Sequence, residues 1–298
     1  MEYLQLSEMR EYIICLLLEH GATPDIPNEL GNTPLHQISR SERGSSHVVI
    51  LLVNKGADTE ARNQDGHTPL HVACKFGNPT VISTLINMRA DINARDNESQ
   101  IPLHIACVYS NNRAVQVLPE SGSDTKALDK TGRTPFHTAC LLGDTPLILI
   151  LLDMGSDKNA RDEEEQTPLH CACQSGNTTL VLVLVGRGLD LEARDKRGQT
   201  GLHIACKSGN LPLVASLIAK GSDVDAPDKQ GQTPLHNATR SGNDMFVLQF
   251  LLRGGANPNV QDKNGQTPLH LACFGASREY CSSSVNPGRF VGHRITGQ

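Results

Sequence analysis

The stretch TPLHVACKFGN, from Thr68 to Asn78, decides the fold of this 298-residue chain. Thr68 is a good N-cap, and Pro69 suits the first helical position, where no backbone N–H is needed. The run LHVAC supplies a short apolar stripe. The closing Gly-Asn pair tolerates the left-handed backbone angles at which helices stop. The stretch therefore predicts one short helix with a defined beginning and end.

The same motif occurs eight times along the chain. Its four-residue unit, Thr-Pro-Leu-His in most copies, begins at Thr33, Thr68, Ile101, Thr134, Thr167, Thr200, Thr233 and Thr267. Successive starts are separated by 35, 33, 33, 33, 33, 33 and 34 residues. A fixed period of this length is typical of repeat architectures, in which each copy is one supersecondary unit.

Each copy continues into a second apolar run, such as LILILLD at residues 147–153 or LVLVLVG at 180–186. A polar link such as ADTEARNQDG follows and ends in a tight turn. Two helices of about seven to ten residues are too short to be stable alone. We therefore expect them to bury their apolar stripes against the same helices of the next copy.

This pattern resembles the ankyrin repeat, a unit of 33 residues with a turn, two helices and the signature T-P-L-H-x-A. The resemblance covers roughly residues 11–276. It implies an all-α ankyrin-repeat solenoid of stacked helix-turn-helix units joined by hairpin-like turns, with first helices on a concave face and second helices on the convex back. We expect an N-terminal partial repeat at 1–32 (second helix and turn only), the repeat array at 33–275 and an irregular, disordered tail at 276–298.

Several departures from the pattern predict local weakness. Ser99 and Glu165 replace the turn glycine, so we expect strained or differently shaped turns there. Arg89 replaces the glycine after the second helix. Pro119 lies inside a second helix and should break its last turn. We expect the unit from Ser99 to Ser123 to be the weakest of the stack.

A His and a Cys three residues apart recur in six copies, which raises the question of a metal site or of a nucleophile beside its base. The pairs are His71/Cys74, His104/Cys107, His137/Cys140, His170/Cys173, His203/Cys206 and His270/Cys273. Zinc needs four ligands within about 2.0–2.3 Å, whereas equivalent residues of stacked helices lie about 8–10 Å apart. A catalytic base would also need an acid partner, an oxyanion donor and a pocket.

We therefore expect no metal ligand, no cofactor and no catalytic residue. The Cys is interpreted as a small apolar group between first helices. By resemblance, the His hydrogen-bonds backbone near the turns and ties adjacent units together. Cys15, Cys171 and Cys281 fall outside the pattern, and Cys171 is expected to be the most exposed thiol. A thiol- or zinc-dependent activity of the His/Cys series is the alternative from the enzyme class.

Composition excludes several other classes of function. The net charge of −5, from 27 basic and 32 acidic residues, argues against nucleic-acid binding. No apolar run approaches the roughly 20 residues that span a membrane, which argues against a membrane protein. No basic region precedes the first apolar run, as it would in a secretory signal. No phosphate-binding loop or hydrolase motif occurs, which argues against the common classes of enzyme. Nine cysteines are an odd number and no disulfide scaffold. We expect free thiols in a reducing compartment, the cytoplasm, with the nucleus as the alternative.

Function in a repeat scaffold lies in the positions that vary between copies. By resemblance, these are the turn tips and the two residues after Ala-Cys on the first helix. At the latter positions an apolar strip crosses copies two to four and comprises Phe76, Val108, Tyr109, Leu141 and Leu142. The predicted partner-binding residues are Asp65, His67, Lys75, Phe76, Glu98, Gln100, Val108, Tyr109, Arg133, Leu141, Leu142, Lys196, Arg197, Lys207 and Arg240.

We expect a non-enzymatic scaffold or adaptor that binds a protein partner through the concave face and the turn tips. The apolar strip would grip the partner and the charged tips would orient it. We expect no nucleic acid, no membrane insertion and no small-molecule substrate. Two alternatives stay open. In the first, Tyr109 and Leu141 bury against neighbouring side chains and the turn tips are merely solvated. In the second, the chain is a fragment of a larger multidomain ankyrin protein, such as an immune-type switch or a ubiquitin-ligase adaptor.

Overall fold

A computed structural model describes residues 2–41, 45–242 and 245–274, with side chains from residue 9 onward. Over these residues the protein is helical and contains no strand, which confirms the predicted all-α class. Residues 268–274 are also helical, up to the end of the described part. The helices bounded within the described residues are α1 (Glu2–Glu19), α2 (Pro34–Ser39), α3 (Ser46–Asn54), α4 (Pro69–Phe76), α5 (Pro79–Asn87), α6 (Pro102–Val108), α7 (Asn112–Glu120), α8 (Pro135–Leu142), α9 (Thr145–Asp153), α10 (Pro168–Ser175), α11 (Thr178–Gly186), α12 (Gly201–Ser208), α13 (Leu211–Ala219), α14 (Pro234–Ser241) and α15 (Met245–Arg253).

The chain forms two compact units, Met1–Asp190 and Leu191–Gln298. In the first unit, the first helices α2, α4, α6, α8 and α10 pack side by side in chain order, and the second helices α1, α3, α5, α7 and α9 form a parallel row. In the second unit, α12 packs against α14 and α13 against α15. Each first helix in both units also packs on the second helix that follows it. This pairwise stacking is what the repeat predicts.

The core of each unit is assembled from the same positions of successive repeats. The leucine of the T-P-L-H motif is 0–2% exposed at Leu35, Leu70, Leu103, Leu169, Leu202 and Leu235. The second helices α3, α5, α7, α9, α11 and α13 each bury three apolar residues; α5, for example, buries Val81, Ile82 and Leu85 completely. Repetition of a few small apolar side chains therefore replaces the single aromatic-rich core that a globular domain would need.

An asparagine at the start of α5, α7 and α11 performs two tasks that the sequence analysis missed. The Asn78 side chain accepts hydrogen bonds from the backbone N–H groups of Thr80 and Val81, at 3.0 and 3.1 Å, and so caps α5. Its amide also donates to the carbonyl oxygen of Ser41, in the preceding repeat, at 3.0 Å. Asn111 and Asn177 make the corresponding bonds, to Cys74 and Gly143. The signal was an Asn in the same register of several copies.

The predicted break at Pro119 is wrong. Helix α7 runs to Glu120 and has nine residues, as α5 and α9 do. Proline so close to the C-terminus removes only one helical hydrogen bond. The N–H of Ser121, two residues later, still donates to the carbonyls of Val117 and Leu118 at 3.1 Å. The last turn therefore closes without the proline N–H.

The predicted strain at Ser99 and Glu165 is confirmed, because they take positive φ angles of 58° and 56°. Arg89, which replaces the glycine after the second helix, also has a positive φ, 66°. A side chain is disfavoured in this left-handed region. Ser110 also has a positive φ, 52°, and the sequence analysis did not anticipate it. The relative weakness of the unit from Ser99 to Ser123 stays a prediction.

No helix in the described part of the chain is both long and apolar enough to cross a membrane. The domain boundaries at 32/33 and 275/276 stay predictions, and the disorder predicted for 276–298 concerns residues outside the described ranges.

Candidate functional site

The histidine of each repeat is a structural link between neighbours. The backbone N–H of Thr68 donates to His71 Nδ1 at 3.1 Å, so Nδ1 is an acceptor and the proton lies on Nε2. Nε2–H then donates to the carbonyl oxygen of Gln100, in the next repeat, at 3.0 Å. The same bond joins His36 to His67, His104 to Arg133, His137 to Gln166, His203 to Gln232 and His236 to Gln266, at 2.9–3.1 Å. The role implied by the resemblance is confirmed.

Burial keeps five of these imidazoles neutral. Burial lowers the pKa of His71 to about 4 from an ordinary 6.5, and it lowers the pKa values of His36, His104, His137 and His203 in the same direction. Both ring nitrogens are already engaged. Such a side chain can neither take up a proton near neutral pH nor offer a lone pair to a metal or a substrate.

The thiols are equally inaccessible. Cys74, Cys107, Cys140 and Cys173 are completely buried, and burial raises the pKa of each thiol, that of Cys173 to about 12. A protonated, buried thiol is a poor nucleophile and a poor metal ligand. No group of three or more His, Cys, Asp or Glu within the described ranges could hold a metal ion. The thiol- or zinc-dependent alternative therefore has no supporting feature in this part of the chain.

The prediction that Cys171 is the most exposed thiol is wrong. Cys171 is 0% exposed, and burial raises its pKa to about 12. Cys171 directly follows the motif histidine, and at this position the side chain lies against the neighbouring first helix. Val72 and Ile105 occupy the same position in other repeats and are 4% and 3% exposed. Among the described cysteines, Cys273 is exposed and Cys15 partly so; Cys281 lies outside the described residues.

The apolar strip of the first unit is only partly exposed. Val108, Tyr109 and Leu142 are 36%, 47% and 51% exposed, whereas Phe76 and Leu141 are half-buried. The alternative that Tyr109 and Leu141 bury against neighbouring side chains therefore holds in part for Leu141 and does not hold for Tyr109. The strip nonetheless leaves one aromatic and two aliphatic side chains facing solvent on adjacent first helices.

Cations cover the aromatic part of the strip. Lys75 Nζ lies 4.7 Å from the centroid of the Tyr109 ring and 6.0 Å from that of Phe76. The guanidinium carbon of Arg40 lies 5.5 Å from the centroid of the Phe76 ring. These distances are those of cation–π contacts. We call Arg40, Lys75, Phe76 and Tyr109 the cation–aromatic cluster.

An open groove of about 550 Å³ adjoins this cluster. It lies between the end of α4 and the link from α6 to α7, and we call it the Tyr109 groove. Lys75 and Phe76 line one side, and Tyr109, Ser110, Asn112 and Arg113 line the other. The Asn112 Oδ1 atom is buried and has no hydrogen-bond partner. Aromatic, cationic and amide groups thus converge on one concave surface, a combination typical of recognition sites.

The predicted turn-tip residues of the first unit divide into two groups. Asp65 and Glu98 are exposed, and Glu98 Oε1 lies 3.3 Å from Lys130 Nζ. His67 and Arg133 are half-buried and are engaged within the chain instead. His67 Nε2 lies 3.3 Å from Asp96 Oδ2, and its ring stacks on that of His71 at 5.6 Å.

Arg133 Nε donates to Asp162 Oδ2 at 3.3 Å. The half-buried Gln100 contributes its carbonyl oxygen to the bond from His71. His67, Gln100 and Arg133 therefore make structural contacts within the chain, in addition to any contact with a partner. In the second unit, the predicted residues Lys196, Arg197, Lys207 and Arg240 are all exposed.

Comparisons with known proteins agree with this architecture. A family model described as ankyrin repeats (3 copies) matches residues 6–96, 103–195 and 169–248, and one described as ankyrin repeats (many copies) matches residues 242–282. The chain is also similar to the crystal structure of the ankyrin repeat domain of Bcl-3, described as a unique member of the IkappaB protein family. That match has 32% sequence identity and a TM-score of 0.63, and it covers 70% of this chain and 95% of the other. No curated protein matched the chain.

Proposed function

The chain belongs to the ankyrin-repeat family, a family of protein-interaction modules, and we propose that it is a non-enzymatic scaffold or adaptor that binds a protein partner. The surface of the first unit built from the cation–aromatic cluster, Val108 and Leu142 would hold that partner. We also propose, from the free thiols and the mild net charge, that the protein acts in the cytoplasm and binds no nucleic acid.

The single observation that supports this surface is the exposure of Tyr109 between two exposed aliphatic side chains. Aromatic residues that are well presented and flanked by apolar neighbours supply most of the binding energy in many protein interfaces. Tyrosine suits this role because its ring buries a large area while its hydroxyl group tolerates water. Because Val108 and Leu142 lie on the adjacent helices α6 and α8, a partner could cover all three at once.

The second unit supplies an internal comparison. The two residues after Ala-Cys, which are Lys75 and Phe76 on α4, are Lys207 and Ser208 on α12, both exposed. The scaffold is the same, but the aromatic ring is absent. If the rings carry the binding energy, the same type of change should weaken partner binding in the first unit and have no effect in the second.

Affinity capture with the full chain, followed by binding measurements with the purified partner, tests this proposal. Tyr109→Ala combined with Leu142→Ala should weaken the complex by about 2 kcal/mol, about 30-fold in Kd. Ser208→Ala combined with Ser241→Ala is the matched control and should leave Kd unchanged. Because Tyr109, Leu142 and Ser208 are exposed and Ser241 is half-buried, circular dichroism should show unchanged helicity. Equal affinities for the two double variants would remove the first-unit surface from the proposal.

A further inference from the structure

We propose that the part of the partner that lies along the cation–aromatic cluster and the Tyr109 groove is an extended acidic peptide segment. Its carboxylates would pair with Arg40, Lys75 and Arg113, and an apolar side chain would pack on Tyr109 and Val108. This inference rests on the proposed function and narrows the chemistry of the partner.

Charge is the first argument. Arg40 and Arg113 are exposed, and Lys75 is half-buried. No carboxylate of the described residues lies within 4.0 Å of these three side chains, whereas Lys130, Arg133 and Arg187 of the same unit each have an acidic partner at 3.0–3.3 Å. The six named lining residues of the groove include two cations and no acid. A surface with several unneutralised cations attracts an anionic ligand and speeds its encounter.

Preorganisation is the second argument. The rings of Tyr109 and Phe76 hold the Lys75 ammonium group between them, at 4.7 and 6.0 Å. A lysine side chain otherwise loses considerable rotamer entropy when it is fixed in a complex. Here much of that entropy is already lost before binding, while the ammonium N–H groups that point away from the rings stay available to carboxylate oxygens. Lys75 is therefore better prepared to bind an anion than a lysine on an open surface.

The local backbone also presents Tyr109 to solvent. Helix α6 ends at Val108, one residue earlier in the repeat than α4 and α8, which end at Phe76 and Leu142. Ser110, two residues after Val108, takes the positive φ that glycine takes at the equivalent positions after α4 and α8. This early end leaves Tyr109 beyond the helix and 47% exposed, at the rim of the groove. Strained non-glycine residues of this kind concentrate at binding sites.

The repeat spacing fixes the expected pattern in the peptide. Arg40 and Lys75 occupy the same position of adjacent repeats, seven residues after Thr33 and Thr68, and Val108 occupies it in the next. Adjacent helices lie about 8–10 Å apart. An extended peptide in the polyproline II conformation advances about 3.1 Å per residue with three residues per turn, so side chains three residues apart lie on one face and span about 9 Å. The surface therefore fits acidic residues at i and i+3 and an apolar residue at i+6.

Aromatic rings beside cations also suit single-stranded nucleic acid. The first unit argues against that ligand, because its exposed turn tips carry Asp65 and Glu98 and would repel a polyanion. A short peptide that follows only the ends of the first helices need not approach those carboxylates. The chemistry thus favours an acidic protein segment over a nucleic acid.

Fluorescence anisotropy with defined probes tests the inference on the full chain. The probe is a labelled peptide, Gly-Ser-Glu-Ala-Ser-Glu-Ser-Ala-Leu-Ser-Gly, which has the predicted spacing. The controls are the same peptide with Gln for both Glu, the same peptide with phosphoserine for both Glu, and a single-stranded oligothymidine. The Glu peptide should bind about ten-fold more tightly than the Gln peptide, and the difference should shrink as salt is raised from about 50 to about 200 mM.

Matched protein variants locate the site. Lys75→Glu and Lys75→Met should each weaken binding of the Glu peptide, by about ten-fold or more for the charge reversal. Lys220→Glu, at an exposed lysine of the second unit that is not among the predicted partner-binding residues, should leave the affinity within about two-fold of the unmodified chain. The inference is overturned if the Glu and Gln peptides bind equally or not at all, if the phosphoserine peptide or the oligothymidine binds more tightly than the Glu peptide, or if Lys220→Glu weakens binding as much as Lys75→Glu.

The failure of this inference differs from the failure of the proposed function. If Lys75→Glu leaves binding of the purified partner unchanged while Tyr109→Ala with Leu142→Ala abolishes it, the surface binds a protein whose contact segment is not acidic. If neither change matters, the proposed surface is wrong.

Discussion

Mild acid should destabilise this protein because its inter-repeat histidines fold in the neutral form. His71 illustrates the physics. Its Nδ1 accepts a backbone N–H, and its Nε2–H is donated to a carbonyl of the next repeat. Protonation would place a second N–H against the Thr68 donor and a positive charge in a fully buried site. The folded state therefore resists a proton that the unfolded chain accepts.

The magnitude follows from the pKa of His71, about 4 in the folded protein and 6.5 ordinarily. Between these values the unfolded chain binds more protons than the folded one, so the free energy of unfolding falls as the pH falls. At pH 5, which is 1.5 units below 6.5, the loss from His71 alone is about 2 kcal/mol, at about 1.4 kcal/mol per unit. The loss stops growing below pH 4. The lowered pKa values of four further histidines add losses of the same sign, at His36, His104, His137 and His203.

The carboxylates do not account for an effect in this window. The pKa values of Asp96 and Asp262 are lowered from 3.8, so the stability that these groups contribute is lost only at still lower pH. Burial raises the pKa of Glu60, which opposes the loss, because the folded state then binds a proton more readily than the unfolded chain does. A fall in the free energy of unfolding between pH 7 and pH 5 is therefore attributed to the buried histidines.

Urea titrations followed by far-ultraviolet circular dichroism, at pH 7 and at pH 5, provide the assay. His71→Gln should be less stable than the unmodified chain at pH 7, because the link to Gln100 is weakened. On acidification to pH 5, however, it should lose about 2 kcal/mol less. His47→Gln, on the exposed side of α3, is the matched control. If His71→Gln loses as much stability on acidification as the unmodified chain does, the burial argument is refuted.

Three further outcomes are expected. A thiol reagent added to the native protein should modify Cys273 rapidly and the buried repeat thiols only after unfolding in urea, because burial keeps those thiols protonated. Ser99→Gly should stabilise the fold by about 1 kcal/mol in urea titrations, because glycine takes the left-handed backbone angles of this position without strain. Gly66→Ala should destabilise it by about 2 kcal/mol, because the added Cβ would lie 2.6 Å from a backbone nitrogen of the next repeat. Asp162→Ala should lower the thermal midpoint and reduce the free energy of unfolding by about 2 kcal/mol. The Asp162 side chain is 2% exposed, and its carboxylate accepts hydrogen bonds from Arg133 and from two backbone N–H groups.

The fold could be predicted from the sequence because every repeat carries its own start and stop signals. Thr68 and Pro69 begin α4 and Gly77 ends it with a φ of 81°, as the residue types require. The prediction failed where the neighbouring repeat, rather than the local sequence, decides the outcome. Cys171 has a sequence context that suits an exposed helix position, yet its side chain is covered by a neighbouring first helix. Burial of that kind depends on which way a helix face turns in the stack.

The candidate site was predictable in outline and not in detail. The variation at Phe76, Tyr109 and Leu142 predicted a partner surface on the first helices, and the structure leaves Tyr109 and Leu142 exposed there. That Lys75 lies over two rings, and that a half-buried Phe76 is shielded by Arg40, depends on side-chain torsions across three repeats. Nor did the motif predict that Ser110 takes the glycine conformation. Its signal was a serine standing where neighbouring copies have glycine after the first helix.

The separation between invariant and variable positions explains how one scaffold carries a specific surface. His71 engages both ring nitrogens and Cys74 fills a closed space, so a change at either site costs stability. One helical turn after His71, at the end of α4, Lys75 is only half-buried and contacts the Tyr109 and Phe76 rings. Exchanging such a side chain alters recognition while the stacking energy is largely preserved. Recognition can therefore change repeat by repeat, and the surface proposed for the first unit, with polar side chains at the same positions of the second, is compatible with the stacking of this fold.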